Sequence, residues 1–165
     1  MDNIVKVRTG QPDDVDSMME LALSAVAENG LTDPSPVKLL NEIWAALNQE
    51  RGIVGVIGPP GGKLEAAILL RVDELWYSSN SSLIERAIFV HPDYRSAKGG
   101  RARKLCDFAK QAAEALEIPL VIGVLSNQRT EGKMKLYQRV FGSEAGCYFI
   151  WNGKTGGSQV LEAAE

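Results

Sequence analysis

The sequence predicts an α/β fold around a mixed, mostly antiparallel sheet, with about six to seven strands flanked by about four helices. Three observations carry that expectation. Apolar alternation and helical spacing succeed one another as strand, two helices, three strands, helix, strand, helix, strand. The turn-rich Gly58-Pro-Pro-Gly-Gly62 joins two of the strand patterns as a hairpin. The run Leu120–Leu125 is continuously apolar, as suits a strand covered on both faces and reached by a crossover through the helix before it.

Taken in order, Ile4–Arg8 reads as a short strand closed by Thr9-Gly10. Pro12 suits a helix start with Asp13 and Asp14 in the first turn. Val15, Met18, Met19, Ala22 and Val26 then keep helical spacing until Asn29-Gly30 stops it. Ser35-Pro36 opens a second helix, with Val37, Leu40, Trp44 and Leu47 as its predicted apolar face. Ile53–Ile57 and Leu64–Val72 are strands, and the polar stretch from Tyr77 to Ser82 leads to a third at Leu83–Val90. A helix with Leu105, Phe108, Ala109, Ala112 and Leu116 on one face follows, then the 120–125 strand, a helix at about 130–140 and a strand at Cys147–Trp151. Residues 1–151 form the expected domain and 152–165 a small, polar extension.

A chain of 165 residues is long enough for one sizeable core. A net charge of −3 argues against a nucleic-acid partner, which asks for a basic domain. Cys106, Cys147 and the single His91 make neither a disulfide framework nor a metal site of familiar spacing. No signal-peptide pattern and no membrane-length apolar run is present, so the expectation is a cytoplasmic chain with no membrane partner.

Against this acidic background, residues 95–104 are locally basic. Lys98, Arg101, Arg103 and Lys104 crowd the start of a helix, where the macrodipole is already positive. An anion on the free backbone N–H groups relieves the conflict, with Gly99 and Gly100 allowing close approach and Arg95, Lys98 and Arg101 pairing with phosphate oxygens. Gly58-Pro-Pro-Gly-Gly-Lys63 is not a second such loop, because it lacks the spacing, the Ser or Thr, and the following helix. His91 beside Pro92 reads as a turn residue, and Cys106 as packing within the helix.

Val90-His-Pro-Asp-Tyr-Arg95 followed by Gly99-Gly100-Arg101-Ala102 resembles the acetyl-CoA-binding signature of the GNAT superfamily of N-acetyltransferases, across about residues 3–151. Departures are a loop one residue longer after Arg95, a ten-residue separation of Asn127 and Tyr137, and Phe141-Gly142 in reversed order. The resemblance implies a GNAT-like single domain and acetyl-CoA as co-substrate. Backbone groups of Phe89 and Val90 would pair with the pantetheine arm, and amides from Arg95 through Ser96, Ala97, Lys98, Gly99, Gly100 and Arg101 would hold the pyrophosphate. Asn127 and Tyr137 would lie near the thioester. It further implies transfer to a small-molecule or peptide amine, no metal, and a possible homodimer. An alternative is a non-catalytic acyl-CoA-binding or regulatory protein on the same fold.

Direct acetyl transfer to an amine needs deprotonation of the amine, polarisation of the thioester carbonyl and protonation of the leaving thiolate. Tyr137 is the candidate acid and Glu85, on the strand facing the acceptor in that family, the candidate base. Trp76 and Tyr77 are candidates for the acceptor pocket.

Overall fold

The proline and serine start signals are used where the sequence places them. In the computed structural model, which describes residues 4–95, 98–125 and 130–151, Pro12–Asp14 forms a 3-10 turn leading into α1 (Val15–Asn29). Ser35 caps α2 (Pro36–Leu47), its hydroxyl accepting from the Lys38 N–H at 3.4 Å. The remaining elements are β1 (Arg8–Thr9), β2 (Gly52–Ile57), β3 (Ala66–Glu74), β4 (Ser81–Val90), α3 (Arg101–Leu116), β5 (Leu120–Val121) and α4 (Thr130–Phe141). Ser96, Ala97, Asn127 and the 152–165 extension lie outside the described residues.

The sheet has five described strands in the order β1-β2-β3-β4-β5, antiparallel through β4 and parallel between β4 and β5. This is the mixed sheet the sequence predicts, with fewer strands. Of the 4–8 segment only Arg8 joins the ladder, together with the following Thr9, while Val5 and Val7 pack into the core beside α3 instead. Of the 120–125 run only Leu120 and Val121 pair with β4, and Leu125 is exposed. Cys147–Trp151 forms no described strand, and Phe149 is 94% exposed. An apolar run announces a wish to be buried; it does not carry the ladder partner that a strand requires.

Alternation sends the sheet's side chains to two cores. Val54, Val56 and Phe89 meet Met18, Leu21, Ile43 and Leu47 of α1 and α2 on one face. Ile68, Leu70 and Leu83 meet Leu105 and Ala109 of α3 on the other. Each fully buried aliphatic side chain there contributes about 1.5–3 kcal/mol. The face of α2 differs from the predicted one. Ile43, Ala46 and Leu47 are buried, whereas Val37, Leu40 and Trp44 point outward. Its sequence holds two apolar stripes, and packing on Val54 and Val56 selects one of them.

The fold's decisive irregularity is in β4. Leu69 pairs with Ala87 and Leu70 with Glu85, so Arg86 is a bulged residue with no partner on β3. A bulge bends a strand and turns a side chain aside. Beyond Ile84↔Val121, β4 and β5 stop pairing.

Candidate active site

The parting of β4 from β5 opens a cleft of about 2140 Å³ that reaches from α3 and α4, past the free edge of β4, to α1 and α2. A single small ligand commonly fills about 300–1,000 Å³, so this space suits two reactants rather than one.

Glu85 stands in the gap. It follows Leu83 on the α3 side of β4, and the Gly123 N–H reaches its Oε2 at 3.4 Å. A side chain thus takes a donor just beyond β5 that a continued ladder would have given to the backbone. Burial pushes the Glu85 carboxyl up to about 7, against the pull of the Gly123 N–H and the Lys133 charge.

Two further groups surround it. The Tyr137 hydroxyl on α4 is buried and has no hydrogen-bond partner among the described residues. Its ring packs edge-on against Phe141 at 5.6 Å, which fixes the helix face that carries it. Burial first, then the Glu85 charge and Cys106, raises its pKa well above the usual tyrosine value. Cys106 of α3 is fully buried, and burial, Asp107 and Glu85 push its thiol up to about 12. It is therefore a neutral, packed thiol, as its place in the helix predicts. Its position beside Glu85 was not visible in sequence, because the two residues stand on different elements.

The other edge of the gap is backbone. His91 N–H donates to Glu65 O at 2.8 Å, so the alternation of an antiparallel ladder turns Phe89 toward β3 and Val90 toward the gap. The Val90 carbonyl accepts from Arg95 Nε at 2.9 Å. The Phe89 ring lies in the core, with the Arg95 guanidinium 5.0 Å above it. Of these two predicted residues, Val90 is the one whose backbone N–H points away from β3.

The basic loop is arranged differently from its sequence reading. Arg95 pairs with Glu28 of α1, and Arg101 Nε with Glu65 Oε2 at 2.7 Å. Arg101 also stacks on Tyr94 at 5.0 Å, and Lys104 Nζ donates to the Val5 carbonyl. Remote carboxylates, invisible in the local sequence, have taken both arginine side chains. What faces solvent is Lys98, Arg103 and the uncapped start of α3. Gly99 at φ 124° and Gly100 at φ 57° hold left-handed conformations that favour glycine, and a Cβ on Gly100 would meet nothing within 4 Å. The approach to the first α3 amides is open.

Three other predicted positions are settled by geometry. His91 is a turn residue, its Nδ1 accepting from the Asp93 N–H at 3.3 Å. The 58–62 segment is a hairpin turn, with Gly62 N–H donating to Pro59 O at 3.1 Å. Trp76 and Tyr77 sit at the exposed β3–β4 tip and do not line the cleft, Trp76 being 96% exposed. An aromatic pair next to a strand end gave no sign of which end of the sheet it would occupy. Among the described residues no group of three or more His, Cys, Asp or Glu is placed to hold a metal, and no helix is long and apolar enough to cross a membrane.

No protein-family model and no curated protein sequence matches the chain. Solved structures do. A possible acetyltransferase from Clostridium difficile 630 superposes with a TM-score of 0.66 at 17% identity, over 90% of this chain and 96% of that one. A ribosomal-protein-alanine N-acetyltransferase from Brucella melitensis biovar Abortus 2308 gives 0.65 at 17% identity, over 90% and 99%. An aminoglycoside N-acetyltransferase in complex with CoA gives 0.67 at 13% identity, over 89% and 93%. The chain shares the mixed α/β fold of these acetyltransferases, which is the fold the sequence resemblance implies.

Proposed function

We propose that the chain is an acetyl-CoA-dependent N-acetyltransferase that transfers the acetyl group directly to an amine within a ternary complex. The observation that carries this reading is the meeting of Glu85 and the unpartnered Tyr137 hydroxyl in the β4–β5 gap. A buried hydroxyl without a partner is costly and marks a place where a ligand group can complete the bonding. Acetyl-CoA supplies the activated acyl group.

Val90 offers its N–H at the gap edge, where it can bind the pantetheine arm or polarise the thioester carbonyl. The amides of Lys98, Gly99, Gly100 and Arg101 at the α3 start take the pyrophosphate, helped by the exposed Lys98 and Arg103. Ser96, Ala97 and Asn127 keep the cofactor-binding roles implied by the family resemblance. The Arg95 and Arg101 side chains hold the loop in shape through Glu28 and Glu65.

Glu85 accepts a proton from the attacking amine, directly or through water, and a base titrating near 7 is matched to that task. As the C–N bond forms and the C–S bond breaks, Tyr137 gives its proton to the departing sulfur. Its raised pKa keeps it protonated at any working pH. No enzyme-bound acyl intermediate is needed, and Cys106, neutral and enclosed, is not asked to form one.

Calorimetric titration of the full chain with acetyl-CoA and with CoA tests the cofactor, and thiol release in the presence of a panel of amines tests the transfer. Micromolar binding with amine-dependent thiol release is expected. No binding at millimolar acetyl-CoA would overturn the reading. Binding with no thiol release from any amine would replace it with a non-catalytic acyl-CoA binder.

A further inference from the structure

The cleft continues beyond Glu85 to the opposite face of β4, where α2 brings Lys38 and Glu42 beside Arg71 of β3 and the bulged Arg86. We propose that Arg86 is the specificity residue of the acceptor site and selects amines that also carry a carboxylate. This rests on the acetyltransferase reading above and assigns a substrate class to its second reactant.

The argument turns on which charges are already used. Glu42 is bonded directly to Arg71 Nη1, and Arg71 Nε stands 3.5 Å from Asp73 Oδ2. Glu42 is therefore committed to Arg71, whereas Asp73 is shared with Arg86. Arg86 donates to Asp73 Oδ2 at 3.3 Å, stands 4.0 Å from Glu42 Oε2, and is the most exposed of the four, at 41%. A cationic acceptor would have to take a carboxylate away from Arg71. An anionic one has only to draw Arg86 from a single exposed bond to Asp73.

Lys38 on the cleft wall adds a further positive charge on this face of β4, while the charges along the whole cleft lining balance. The bulge adds the geometry, since it turns the planar, two-pronged guanidinium out of the ladder at the residue next to Glu85. A carboxylate bound bidentately by Arg86 places its attached amine near the gap in which Glu85 stands.

Two bisubstrate conjugates provide the test. In each, the sulfur of CoA is joined through an acetyl bridge to the amine of phenylalanine or of phenylalaninamide, so that they differ only in the carboxylate. By calorimetry the carboxylate conjugate is expected to bind about tenfold more tightly, the scale of one charge-assisted pair. Arg86→Met should make the two equal while leaving the affinity for CoA alone unchanged. Asp73→Asn, which releases Arg86, should widen the difference. Equal affinities in the unaltered chain, or a preference that survives Arg86→Met, would overturn the proposal and leave the cofactor reading standing. If neither conjugate nor CoA binds, the cofactor reading itself falls and takes this inference with it.

Discussion

Two enclosed carboxylates in this protein have opposite fates. Asp14, in the turn before α1, has no exposed surface and accepts from Arg8 Nη1 and Nη2 at 2.8 Å each, from Gln11 N–H at 2.8 Å and from Gly61 N–H at 3.1 Å. The Arg8 bonds hold it below the usual carboxylate range despite burial. Among the described residues Glu85 receives only the long Gly123 hydrogen bond, and burial raises it to about 7. Fully bonded, a buried charge fixes a corner of the fold; left short of partners, it is ready to take a proton. One region spends its polar groups on structure, and the other keeps them for a ligand.

The comparison can be broken first by separating activity from stability. Tyr137→Phe should reduce acetyl transfer by about 10²–10³-fold. It removes a hydroxyl with no partner, so the melting temperature should stay level or rise. Glu85→Gln should lower the rate by about 10²-fold and stabilise the chain at pH 8, where the wild-type carboxylate must be charged in a poor environment. An unchanged rate in both variants would remove the pair from the mechanism.

Asp14→Asn should do the reverse. It leaves Arg8 without its buried partner and should destabilise the fold by about 3 kcal/mol, with the activity of the folded fraction retained. Denaturant midpoints and rates measured on the same samples separate the two effects.

The pH slopes sharpen the contrast further. Asp14 has a depressed folded-state pKa, so its contribution is present at neutral pH and is lost as pH falls below about 4. Glu85 has a raised one, so the folded state holds its proton more tightly, and stability is lost as pH rises from about 4.5 through 7. That loss amounts to roughly 2–3 kcal/mol and should vanish in Glu85→Gln. Smallest of all, Arg8→Lys keeps the charge but not the fork, and should cost about 1 kcal/mol.

Sequence alone made the closed side of the sheet legible. Pro12, Ser35-Pro36 and the 58–62 turn are local signals, and local geometry decides them. Periodicity gave the existence of α2 but not which of its two apolar stripes meets the core, since that depends on Val54 and Val56. At the site, Gly99, Gly100, Glu85 and Tyr137 were readable as residue types suited to a chemistry. The pairing of Arg95 with Glu28 and of Arg101 with Glu65 was not, because those partners are 67 and 36 positions away. Nor was the bulge at Arg86, which exists only in the register of β4 against β3.

The most direct measurement is a carbon-13 NMR titration of the side-chain carboxyls of Glu85 and Asp14 in the full chain, repeated with acetyl-CoA present. The account predicts Glu85 titrating near 7 and shifting when acetyl-CoA is added, with Asp14 ionised down to below pH 4 and indifferent to it. A Glu85 that titrates near 4.5 with and without acetyl-CoA would contradict it.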